Sequence, residues 1–138
     1  MPQVTVTKLV EGEAHVVIRL VLLADGSGNL RREVIFSPTD LVPPRKANRV
    51  TFRIMQIWYG MSGFDAEFGF NVISPEPAWT LARGTDSWVD FRLFGGLLQF
   101  PETPPEDVDG KLWLSTTDFI TAGQTGSFVL ELRKTNMP

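Results

Sequence analysis

The sequence predicts an all-β fold: a single-domain antiparallel β-sandwich over residues 1–138, jelly-roll or Greek-key-like, with about eight or nine strands. Three observations lead there. Apolar residues recur with a period of two, most clearly in residues 64–70. There Phe64, Ala66, Phe68 and Phe70 fall on one face and Asp65, Glu67 and Gly69 on the other. That alternation belongs to a strand with one wet side. The 12 glycines and 10 prolines make up about a sixth of the chain against a usual ~12%, which favours frequent turns. No segment carries a convincing helical stripe. At 138 residues the chain is one domain's worth, since a domain takes ~100–200 residues.

Taken in order, residues 4–9 are β-branched and read as a strand, with residues 1–3 a loose start. Glu11, Gly12 and Glu13 form a turn. Residues 15–23 are a long apolar strand interrupted by Arg19. Residues 25–29 are a tight reversal, because glycine supplies positive φ. Residues 30–36 return as the second arm of an expected hairpin. Residues 37–41 make a turn or one helical turn, and Pro43 and Pro44 stiffen the connection that follows.

Residues 50–59 are the next strand, with Val50, Phe52, Ile54, Gln56 and Trp58 as its expected core face. Residues 64–70 follow. Pro75 and Pro77 break the pattern before a short strand at 79–81. Residues 86–94 read as another strand. Residues 101–110 are acidic and proline-rich, hence a surface loop. Residues 111–116 and 127–134 complete the set, and residues 135–138 form a loose tail.

Composition excludes several chemistries. With no cysteine, disulfides, thiolate metal sites and cysteine nucleophiles are absent. With His15 the single histidine, a multi-histidine metal site within one chain is impossible. The net charge is −3, unevenly spread: residues 1–55 carry eight Lys/Arg and five Asp/Glu, residues 56–138 five and eleven. No basic cluster has the density of a nucleic-acid footprint. The longest apolar run, residues 16–24, is far short of the ~20 residues a membrane helix needs. No targeting segment is expected at the start.

Candidate sites are few. His15 beside Glu13 has the chemistry of a general base, yet no nucleophile accompanies it, and it reads as a structural or surface histidine. Asp25, Ser27 and Asn29 alternate like calcium ligands, but Leu30 replaces the loop glycine and Phe36 the bidentate glutamate, so a turn is expected. Asp65, Glu67, Asp86 and Asp90 supply carboxylates of the type glycoside hydrolysis uses; they read as solvated strand-face groups. Trp58, Tyr59, Trp79, Trp88 and Trp113 suit a core, a subunit interface or a sugar-stacking platform. The stiff segment 43–49 places Arg45, Lys46 and Arg49 where an acidic partner surface can meet them.

The whole chain resembles the small all-β accessory proteins of tailed-bacteriophage virions. The resemblance rests on Val4-Thr5-Val6-Thr7-Lys8-Leu9-Val10, on Ile54-Met55-Gln56-Ile57-Trp58-Tyr59-Gly60-Met61-Ser62-Gly63-Phe64, and on Asp90-Phe91-Arg92-Leu93-Phe94-Gly95-Gly96. The ending Thr121-Ala122-Gly123-Gln124-Thr125-Gly126-Ser127-Phe128-Val129-Leu130-Glu131-Leu132-Arg133-Lys134 fits the same pattern. It implies a non-enzymatic virion structural protein, foremost a capsid decoration or cement protein, with no catalytic, cofactor or metal site. The implied partners are the major capsid protein or other virion proteins. A homo-oligomer is implied, a trimer favoured, with neither nucleic acid nor membrane as partner. The chain would be made in the host cytoplasm and reside in the virion. Arg45, Lys46, Arg49, Trp58 and Tyr59 are the expected partner-interface residues. The alternatives are a phage neck, tail or baseplate subunit, and a carbohydrate-binding β-sandwich module.

Overall fold

The structure, a computed structural model, describes residues 2–44, 50–73, 75–83, 87–98 and 108–136. Nine strands follow one another: β1 (Gln3–Glu11), β2 (His15–Leu23), β3 (Glu33–Phe36), β4 (Val50–Met61), β5 (Asp65–Phe70), β6 (Glu76–Leu81), β7 (Ser87–Asp90), β8 (Leu112–Thr117) and β9 (Thr125–Asn136). They form a five-stranded sheet ordered β1-β2-β9-β4-β7 and a four-stranded sheet ordered β3-β8-β5-β6. All pairs are antiparallel. The pairs β2–β9, β3–β8, β4–β7 and β5–β6 are nested one inside the next, which is the jelly-roll arrangement of two antiparallel sheets. The expected sandwich is therefore observed, with β1 added outside β2.

The core lies between the sheets. Val16, Ile18, Leu20 and Leu22 of β2, and Phe128, Leu130 and Leu132 of β9, face Phe68, Leu112 and Leu114 of the smaller sheet, all fully buried. The Phe68 and Phe128 rings meet edge to face at 5.6 Å and Phe36 meets Phe52 at 5.2 Å, a geometry aromatic quadrupoles favour. Each pair joins one sheet to the other.

Four sequence expectations are corrected. Residues 15–23 and 30–36 are not two arms of one hairpin: β2 pairs with β1 and β9, and β3 pairs with β8 in the other sheet. Their linker crosses the sandwich, with Leu30 N and Thr116 N bonded to the opposite segment. The ends are not wholly loose, since Gln3 pairs with Leu23 and Thr135 with Thr51; Met1, Met137 and Pro138 lie outside the described residues.

The face assignment of residues 50–59 holds only to Ile54. A bulge at Met55 inserts one residue against β9, and a one-residue slip exchanges the two faces. Beyond it Ile57 is fully buried, whereas Trp58 turns outward. The strand expected at 86–94 stops at Asp90, whose carboxylate accepts the Arg92 amide at 2.9 Å and starts a 3-10 turn, Arg92–Phe94.

Candidate functional site

The β4–β7 edge of the five-stranded sheet carries four large, exposed apolar side chains. Trp58 and Trp88 are direct cross-strand partners, 40% and 48% exposed. Leu93 and Phe94 project from the turn after β7, 94% and 80% exposed. Burying such a side chain is worth about 1.5–3 kcal/mol, so this edge leaves several kcal/mol of burial unused in the isolated chain.

Local backbone chemistry aims these groups outward. Phe91 is buried and packs edge-on against Trp79 of β6 at 4.9 Å, while its amide donates to Met55 O at 2.8 Å. Gly95 and Gly96 take φ of 78° and 93°, which L side chains resist. A Cβ on Gly96 would lie 2.6 Å from Met55 Sδ. The chain then returns to β4 through reciprocal Ile54–Leu97 backbone bonds of 2.8 and 2.9 Å. With residues 91 and 97 both anchored, Leu93 and Phe94 sit on the crest between.

A polar layer fixes the Trp88 indole. Gln56 is buried; its Oε1 accepts Trp88 Nε1 at 2.9 Å and its Nε2 donates to Glu131 Oε1 at 2.9 Å. Arg92 forks onto Asp90 with two bonds of 2.9 Å, and its guanidinium carbon lies 6.0 Å from the Trp88 ring centre, at the limit of cation–π reach. The Arg92 hydrogen bonds hold the Asp90 carboxyl below its usual range. Rigid, pre-ordered aromatic groups of this kind suit contact with a partner.

The other sequence-predicted groups are placed as follows. Trp58 is on this face, but Tyr59 points the other way and packs against the core. Arg45, Lys46 and Arg49 lie outside the described residues, as do Asp86 and residues 101–107. Trp113 is buried, donating to Phe70 O and Asn71 O at 3.2 and 2.9 Å, so the five aromatics do not form one platform.

Asp65 is forked by Arg83, which also meets Asp118, and these bonds lower the Asp65 pKa. Glu67 accepts the Thr80 hydroxyl. Asp25 accepts the Ser27 amide within the turn, and Asn29 ties the turn to the Phe119 amide, which spends those oxygens on structure. His15 is exposed at the start of β2. Among the described residues no group of three or more His, Asp or Glu is placed to hold a metal ion, and no helix is long and apolar enough to cross a membrane.

A second polar cluster joins three segments. Glu11 accepts Lys8 Nζ at 2.7 Å, Lys134 Nζ at 3.1 Å and the Val42 amide at 3.0 Å. It lines a cleft of about 360 Å³ with Gly12, Glu13, Val42, Pro43 and Lys134. Its charges are mutually satisfied, which makes it a clamp on the loop that leads to residue 45.

Leu93 and Phe94 were missed by sequence reasoning, which set them in a strand. The signal that could have found them is the Gly95-Gly96 pair, which ends extended structure just beyond. No known protein family, curated protein or solved structure matches the chain.

Proposed function

We propose that the chain is a non-enzymatic virion structural protein, a capsid decoration or cement protein that binds the outer shell and stabilises it. The observation that carries the docking part of this reading is the exposed group Trp58, Trp88, Leu93 and Phe94. Its aromatic rings lose little conformational freedom on binding and bring large apolar area. The virion context is supported by the resemblance of the chain to tailed-phage accessory proteins, and the jelly roll is a fold shared by capsid and lectin domains, though fold alone does not assign function.

In this reading the aromatic edge meets the shell, and Arg45, Lys46 and Arg49 set register through charge, a contact that salt weakens. Binding only the assembled shell stabilises that state by mass action. The test is occupancy of virions assembled with Leu93→Asp/Phe94→Asp protein. The expected result is a fall of more than tenfold, on the order of 1.4 kcal/mol or more, with the fold retained. Undiminished occupancy refutes the docking assignment.

The Trp58–Trp88 pair also favours a second reading, a carbohydrate-binding module. Its test is tryptophan fluorescence against a glycan panel; a saturable response supports it and displaces the first.

A further inference from the structure

The sandwich has four edge strands, and three of them are blunted. β7 and β3 have four residues each. β6 carries Pro77 and a register shift opposite Phe68 and Gly69; proline removes a ladder donor. Short strands, prolines and bulges are the usual devices that stop an edge from recruiting another strand.

β1 has such devices only at its Lys8–Glu11 end, where Lys8 bonds Asp40 O and Glu11 accepts the Val42 amide, and its first half is open. It runs for nine residues, holds no proline after its start and has its bulge only at Leu9. Gln3 through Lys8 are regular, β-branched at Val4, Thr5, Val6 and Thr7, with one charge, Lys8. Among the described residues its main-chain ladder is to β2 alone. Val6, Leu9 and Val10 are 38%, 50% and 59% exposed.

We infer that β1 is a homodimer edge, pairing antiparallel with β1 of a second copy about a twofold axis at Val6. The residue pattern admits a second copy because it is free of like-charge contacts in that register. Val6 then faces Val6, Thr5 faces Thr7, and Val4 faces Lys8. Thr–Thr is a favourable cross-strand pair, and the one charge never meets its like. Directly opposed residues share a face, so the two five-stranded sheets join into one continuous sheet with both aromatic faces on the same side. Twofold, isologous contacts are the commonest form of homo-oligomer. The inference is independent of the docking assignment, which concerns the opposite edge, four strand spacings of ~4.8 Å away.

Light-scattering mass in solution tests it with the full chain and two variants. The wild type is expected at twice the 15.4 kDa chain mass. Thr5→Lys/Thr7→Lys puts lysine opposite lysine at two places and is expected at the monomer mass. Thr5→Lys/Thr7→Glu puts opposite charges at those same places and is expected to return to the dimer. Circular dichroism confirms the fold of each. A monomeric or trimeric wild type, a dimeric Thr5→Lys/Thr7→Lys variant or a monomeric Thr5→Lys/Thr7→Glu variant overturns the proposal. A foreign strand as the natural occupant of this edge would show as the monomeric wild type.

Discussion

Gly69→Ala is expected to destabilise the fold, chiefly through Trp113. Gly69 sits in β5 directly opposite Trp113 of β8, and the indole lies flat over the glycine. A Cβ there would be 2.1 Å from Trp113 Cζ2, 2.4 Å from Cε2 and 2.5 Å from Glu76 O. The indole must move, and its single N–H, shared between Phe70 O and Asn71 O, goes with it, at about 1 kcal/mol. Overpacking adds about 1–3 kcal/mol, for an expected loss of about 2–4 kcal/mol. For a chain of this size that lowers Tm by about 10 °C. Urea unfolding of Gly69→Ala, Trp113→Ala and the double variant gives the coupling. With Trp113 removed, the Glu76 carbonyl still opposes the new methyl at 2.5 Å, so Gly69→Ala should cost less than in the wild type but still about 1–3 kcal/mol. A loss below about 1 kcal/mol in the wild type, or an equal loss with and without Trp113, refutes this reasoning.

Two further outcomes follow from the polar clusters. Asp109, buried, accepts the Val72, Ile73 and Lys111 amides at 2.7, 3.1 and 2.9 Å, so Asp109→Ala should cost about 3 kcal/mol by urea midpoint, since each orphaned donor costs about 1 kcal/mol or more. The Lys8 hydrogen bond, joined by those from Val42 and Lys134, pulls the Glu11 carboxyl from 4.5 to about 2. Its folded value is depressed, so its stabilisation is full above pH 4.5 and is lost as pH falls through that value towards 2. Glu11→Gln should therefore flatten the decline of the urea midpoint across that window, and an unchanged slope contradicts the clamp. For the basic segment, reversing the charges of Arg45, Lys46 and Arg49 should lower shell occupancy and weaken its salt dependence; unchanged occupancy removes these residues from the contact.

The period-two pattern was enough to find the strands. β5 was legible because Phe64, Ala66, Phe68 and Phe70 alternate without a bulge. Partner choice was not legible. The glycine-rich linker at 25–29 marks a reversal, but the same glycines serve a hairpin and a crossing between sheets, and only the non-local pairing of β2 with β9 decides. Trp58 was identified as an interface candidate although its face was misjudged, because one extra residue at Met55 inverts every later side chain and leaves no mark in an apolar run. Trp113 was legible only as a core, interface or sugar-stacking candidate, and burial against Gly69, with Nε1 bonded to Phe70 O and Asn71 O, settles it as core. Leu93 and Phe94 were hidden for a local reason: the Asp90 carboxylate caps the Arg92 amide and converts an extended-looking run into a turn.

Self-pairing through β1 and docking through the β7 edge would give a dimer two aromatic faces on one side, and two linked contacts bind far more tightly than one. Such an arrangement suits a repeating lattice. The most direct measurement of the central claim is the copy number of this chain per purified virion, by quantitative mass spectrometry against the major capsid protein. A decoration protein predicts hundreds of copies, distributed over the shell. A few to a dozen copies at one vertex would contradict decoration and assign a neck or tail part, and absence from the particle would contradict the virion role altogether.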